Sequence, residues 1–114
     1  MKRYRISDLQ DAKSSHILQG ILPGRCLTKG GLSFSKPLER SHTNDGPGGL
    51  DYHVHEDECE AFIILQGKGE IEINKSFYPI SVGDVLVVEP LEDHHLISDA
   101  SDPLIVVWCH ANER

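Results

Sequence analysis

The stretch Asp51–Gly69, DYHVHEDECEAFIILQGKG, sets two histidines, five acidic residues and a cysteine ahead of an apolar run that ends between glycines. Along an extended chain, side chains at i and i+2 share a face, so His53 and His55 project together while Tyr52 and Val54 point the other way. With Glu56–Cys59 as the turn, Glu60 opens a returning strand on which Phe62, Ile64 and Gln66 share its face, and it can meet both histidines across the hairpin. A carboxylate directed toward a core needs a cation or a hydrogen-bond network there. Glu60 therefore joins His53 and His55 as a candidate ligand.

Outward from this hairpin the chain continues as short apolar or alternating runs separated by turn residues, the spacing of an antiparallel all-β domain. Strands are expected at Leu50–His55, Glu60–Leu65, Glu70–Ile73, Val85–Val88, His94–Ile97 and Leu104–Cys109. Gly67 and Gly69, then Asn74–Ser76, supply turns, and Val82-Gly83-Asp84 marks the entry to the next strand. Closing such strands into a barrel removes exposed edges and makes the interior the natural place for a site. The segment Ser81–Ser98, SVGDVLVVEPLEDHHLIS, ends in adjacent histidines on a new strand. By alternation only one of His94 and His95 faces the interior, and period alone does not choose between them.

Before residue 50 the pattern is weaker. Ser7 with Asp8 and Gln10 forms a capping box for a short helix over Asp8–Ser14. The following stretch is broken by Pro23, Gly24, Gly30, Gly31 and Pro37, so short strands joined by turns are expected there, and HTNDGPGG at 42–49 reads as a loop. The 114 residues fit one compact domain spanning 1–114. Eighteen acidic against eleven basic residues give a net charge of −7, which repels nucleic acid and anionic membrane. No apolar stretch approaches the roughly 20 residues of a membrane span, and the N-terminus lacks the apolar core of an export signal. A soluble, cytoplasmic protein is expected. Cys26, Cys59 and Cys109 contain no C-x-x-C pair and read as small buried thiols rather than a disulfide framework or a cysteine zinc site.

These two segments resemble the two motifs of the cupin superfamily, and in particular its small single-domain members of the cupin 2, conserved-barrel type. The first motif runs glycine, a short spacer, H-x-H, three or four residues, Glu, six residues and Gly. His53, His55, Glu60 and Gly67 follow it, with Pro47 at the leading glycine and Gly46, Gly48 and Gly49 around it. The second runs Gly, five residues, Pro-x-Gly, two residues, His, three residues and Asn. Counting from Gly83 puts Glu89 at the proline, Leu91 at the glycine, His94 at the histidine and Ser98 at the asparagine, with Pro90 one position late. The resemblance covers 46–98; residues 1–45 would supply an N-terminal arm and early strands.

The resemblance implies an all-β double-stranded β-helix, or jelly-roll barrel, with a short N-terminal helix or arm. It carries over His53, His55, Glu60 and His94 as ligands of a divalent metal ion, with His95 as the alternative to His94. Three neutral imidazoles and one carboxylate suit Mn, Fe, Co, Ni or Zn and leave positions for a chelating small molecule. It points to a metal-dependent enzyme, a dioxygenase, isomerase, decarboxylase or lyase, acting on a carboxylate, a hydroxy-ketone or a sugar derivative. A non-catalytic small-molecule or sugar-binding sensor is the other reading, against which the lack of an adjoining helix-turn-helix weighs. A homodimer is expected in either case, with no general base identifiable. Among the remaining residues, Glu56–Glu58 read as a solvated acidic turn, and Glu89, Glu92 and Asp93 as surface loop charge, a role beside His95 being their other use. Trp108 reads as core or interface packing. Tyr4, Tyr52 and Tyr78 are possible proton donors without a motif, and His16, His42 and His110 read as surface residues without partners by spacing.

Overall fold

The computed structural model describes residues 1–9, 21–22, 26–38, 40–41 and 54–112. Eight strands are formed among them: β1 (Lys2–Arg5), β2 (Cys26–Phe34), β3 (Cys59–Gln66), β4 (Lys68–Ile73), β5 (Ser76–Ser81), β6 (Asp84–Val88), β7 (His94–Ser98) and β8 (Ile105–Asn112). They build two antiparallel sheets, one of five strands in the order β1-β6-β3-β8-β2 and one of three in the order β5-β4-β7. The edge strand β7 is covered by the segment before residue 41 through bridges of Pro37 to Ser98 and Arg40 to Ile97. Among the described residues no helix is long and apolar enough to cross a membrane.

The core follows the period-2 alternation. Phe62 and Ile64 of β3, Leu86 and Val88 of β6, and Val106 of β8 meet Ile71, Ile73, Ile80 and Leu96 of the smaller sheet, forming the apolar layer between the sheets. The opposite face of the five-stranded sheet carries a second cluster, with Ala61, Val87 and Ala111 under Leu22 and Cys59.

The turns give the chain its register. Gly67, between β3 and β4, has φ +85°, and a Cβ there would lie 2.0 Å from the Pro103 carbonyl oxygen, so only glycine fits. Asn74 and Lys75 both have positive φ between paired Ile73 and Ser76, as a type I′ hairpin requires. Leu91 has φ +69° directly after Pro90, the arrangement of a type II turn, and it stands where the cupin motif has its glycine. A left-handed residue is thus held at this turn without a glycine.

The strands expected from Glu60 onward are present, the first four extended by one or two residues and the last shifted, starting at Ile105 instead of Leu104 and running on to Asn112. β5 was not expected, and β2 is one nine-residue strand through Gly30 and Gly31 rather than short pieces. Val54 and His55 stand outside any strand, and the rest of the Leu50–His55 expectation lies outside the described residues. So do the 42–49 loop and residues 10–14 of the expected helix; the described N-terminal part is a short 3-10 turn over Ile6–Asp8.

Candidate metal centre

Register places the central carboxylate. Glu60 enters β3 in the middle of the larger sheet, opposite Val88 of β6 on one side and His110 of β8 on the other. Directly opposed residues share a face, so His110 and Glu60 point into the same interior. From the smaller sheet, His94 is paired with Ile73 and faces that interior, while His95 is paired with Glu72 and faces outward. The alternation left open by sequence is thus resolved by geometry: His94 reaches Glu60 and His95 does not.

Three imidazoles meet this one carboxylate. His55 Nε2 lies 3.1 Å and His94 Nε2 2.8 Å from Glu60 Oε1, and His110 Nε2 lies 2.9 Å from Oε2. Glu60 is 4% exposed, His94 1% and His110 3%. Burial pushes the Glu60 pKa up, but the contacts of its oxygens with the His110, His55 and His94 rings outweigh it and hold the carboxyl far below its ordinary range. It is an anion at neutral pH.

The backbone orients the two rings on Oε1. His94 Nδ1 lies 2.9 Å from the Glu92 carbonyl, which can only accept, so Nδ1 carries the proton and Nε2 is turned toward the carboxylate. The same turn holds His55, whose carbonyl accepts from Leu91 N–H at 2.8 Å. Asn74 fixes the start of β7 by exchanging hydrogen bonds with the Asp93 backbone at 2.9 Å.

This donor set fits a divalent cation. With ligand bonds of about 2.1 Å, neighbouring ligands in an octahedral shell stand about 3.0 Å apart, close to the spacing of His55 and His94 from Oε1. His55, Glu60 and His110 also each bring a ligand atom within 4.8 Å of the others. Of the four residues expected as ligands, the structure brings His55, Glu60 and His94 together; His53 lies outside the described residues, as do Tyr52, His16 and His42.

Two expectations are corrected. His110 is no surface residue: it is buried against Glu60, with the His55 ring 4.3 Å and the Trp108 ring 5.4 Å away. Asp93 is no surface charge: it is buried, and its Oδ1 lies 2.9 Å from His95 Nε2. Glu56 and Asp57 are exposed as expected, whereas Glu58 is half-buried and accepts from the Thr28 hydroxyl.

One pleat beyond Glu60 and His94 on the same faces are Phe62 and Leu96, and they wall a cavity of about 250 Å³ that Ser33, Ser41 and Lys36 also line. Phe62 on its wall has its ring 6.0 Å from that of His94, and the lining includes none of the cluster residues. A larger groove of about 600 Å³ near Arg3, Lys68 and Asp99 includes none of the cluster residues.

Residues 41–110 match the family model of the cupin domain. A curated relative, an uncharacterized HTH-type transcriptional regulator of Escherichia coli K12, is 31% identical over 58 residues, which are 51% of this chain and 19% of that protein. The chain thus spans about a fifth of the curated relative it matches. A protein described as a "predicted oxalate decarboxylase" from Thermotoga maritima superposes with a TM-score of 0.62 at 22% identity, covering 75% of this chain and 67% of that one. An uncharacterized conserved protein with a double-stranded β-helix domain from Klebsiella pneumoniae gives 0.62 at 14% identity over 97% and 90% of the two chains. At these identities the solved structures establish the fold.

Proposed function

The chain belongs to the cupin domain family, and from that premise we propose that it holds one divalent cation at His53, His55, Glu60 and His94 and acts as an enzyme on a small oxygen-rich molecule. The observation that carries this reading is the convergence of His55 and His94 on one oxygen of a buried carboxylate. When bound, Mn, Fe, Co, Ni or Zn would supply Lewis-acid chemistry, or redox chemistry in the case of iron.

The chain's own residues do the rest. Glu60 stays ionised and balances cation charge from a position itself shielded from bulk water. The Glu92 carbonyl keeps the His94 lone pair directed at the site. Phe62 and Leu96 offer an apolar wall beside the cluster, and Ser33, Ser41 and Lys36 offer hydroxyls and a positive charge suited to a carboxylate or a hydroxylated carbon chain. A cavity of about 250 Å³ suits a small molecule up to about the size of a single sugar ring.

The test is elemental analysis of untagged wild type and His94→Ala after incubation with each metal, followed by turnover assays with small carboxylates, hydroxy-ketones and sugar derivatives. About one equivalent in the wild type, lost in the variant, together with consumption of one class, is the expected result. Wild type that takes up no metal would sink the reading. A second reading, a ligand-sensing module, has the likeness to the HTH-type regulator in its favour; saturable binding of the same compounds without turnover would select it.

A homodimer through β2 is part of the proposal. β2 is an edge of the larger sheet, and Leu27, Leu32 and Phe34 on it are 55%, 65% and 63% exposed. Sedimentation should give twice the chain mass, and Leu32→Lys with Phe34→Lys should halve it.

A further inference from the structure

We propose that His110 is a positioning residue of this centre: it holds the second oxygen of Glu60 so that the first is presented to the cation between His55 and His94. The inference rests on the metal reading above and adds to it a residue that neither cupin motif contains.

The two carboxylate oxygens are used differently. Oε1 faces the Nε2 atoms of both His55 and His94, whereas Oε2 faces His110 Nε2 at 2.9 Å. His110 comes from β8, directly opposite Glu60 in register. It approaches from within the larger sheet, while His94 approaches from the smaller one. A donor on Oε2 from that side fixes the rotation of the carboxylate plane, although His110 also stands close enough to His55 and Glu60 to share an ion with them, which is the alternative the test below separates.

His110 is itself committed to this task. Among the described residues its Nδ1 has no hydrogen-bond partner, and the nearest carboxylate, Glu58 Oε2, stands 3.9 Å away, beyond hydrogen-bond reach. Contact with Glu60 is the hydrogen bond that holds the ring, and the His55 and Trp108 rings pack its faces and edge. Ligating carboxylates are oriented by such outer partners, and losing one weakens metal affinity about 10–100-fold. Glutamine can replace the Nε2–H donor with its amide, while it is a poor substitute for an imidazole ligand.

The experiment compares wild type, His110→Gln and His110→Ala. Co²⁺ affinity is measured by competition with a chelating dye, and Cu²⁺-loaded samples are examined by electron paramagnetic resonance, whose nitrogen couplings count the bound imidazoles. The expected result is affinity lowered about 10–100-fold in His110→Ala and restored to within about threefold of wild type in His110→Gln, with the same imidazole count in all three. One imidazole fewer in His110→Gln would make His110 a ligand and overturn the proposal. Unchanged affinity in His110→Ala would overturn it as well. If His110→Ala does not fold, His110→Phe, which keeps a ring but lacks the donor, takes its place: affinity lowered about 10–100-fold supports the proposal and unchanged affinity overturns it. Failure of the wild type to bind either metal would instead overturn the metal reading on which the inference rests.

Discussion

His94 and His95 are neighbours on β7, both 1% exposed, yet they end in clusters of opposite character on the two faces of one sheet. Inside, three imidazoles crowd a single carboxylate. Outside, every charge has a partner: Arg40 Nε and an Nη donate to the two Glu72 oxygens at 2.7 and 2.9 Å, and His95 spans the Asp93 carboxylate at 2.9 Å and the Ser41 carbonyl at 2.7 Å. Ser41 closes this outer network by accepting Leu96 N–H on its hydroxyl. A set of paired charges fastens a segment to a sheet. Imidazole nitrogens gathered around one buried carboxylate suit a cation, and this difference separates a site from a fastening.

The comparison breaks most readily at the carboxylates. Glu60→Ala should lower cation affinity by more than about 100-fold, beyond what loss of an outer-shell partner causes. His94→Ala should do the same, while the adjacent His95→Gln should keep about one equivalent in elemental analysis. A His95 variant that loses metal with its fold intact would erase the distinction between the two clusters.

The outer cluster should show its role in stability. Glu72 is 5% exposed, and its removal leaves the half-buried Arg40 guanidinium without its bidentate partner. Glu72→Ala should cost about 2–4 kcal/mol in urea denaturation, below the full figure for a wholly buried pair because Arg40 retains some solvent. Metal affinity measured on the folded variant should stay within about twofold of wild type.

The same pair gives a pH dependence with a definite sign. Its Arg40 hydrogen bond holds the Glu72 pKa below the ordinary carboxylate value against the effect of burial. A depressed folded-state pKa contributes stability that is present above the unfolded value, about 4.3, and is lost as pH falls through the folded one. Wild-type stability should therefore decline below about pH 4.5, and Glu72→Gln should decline less steeply. Parallel curves would show that Glu72 carries none of this linkage.

Much of this architecture is legible in the sequence because alternation and turn chemistry are local. The runs around Glu60–Leu65 and Val85–Val88 are apolar and bounded by glycine or acidic turns, and they fold as strands. β5 escapes the pattern because Pro79 interrupts it and most of its residues are exposed, which an edge strand tolerates. β2 runs through Gly30-Gly31 because the Trp108 indole lies over Gly31, where a Cβ would come within 3.1 Å of the ring. His110 was invisible to spacing for another reason: it meets Glu60 across a strand pair that joins residues fifty apart in the chain. Its signal was a polar residue two positions after Trp108, on the core-facing period of an apolar strand.

The smallest effect tests how the turn between the two clusters is built. Leu91 occupies the left-handed region at φ +69° with a side chain 65% exposed, so it contributes little packing and bears a steric penalty. Its N–H nevertheless ties His55 to the turn, and the Glu92 carbonyl after it orients His94. Relief of the left-handed penalty, about 1–2 kcal/mol, is partly offset by the greater freedom of glycine in the unfolded chain. Leu91→Gly should thus stabilise the protein by about 0.5–1 kcal/mol in urea denaturation, with metal affinity unchanged because the backbone path to both histidines is the same. Stabilisation accompanied by weaker metal binding would mean that the strained leucine, and not the turn alone, holds His55 and His94 in place.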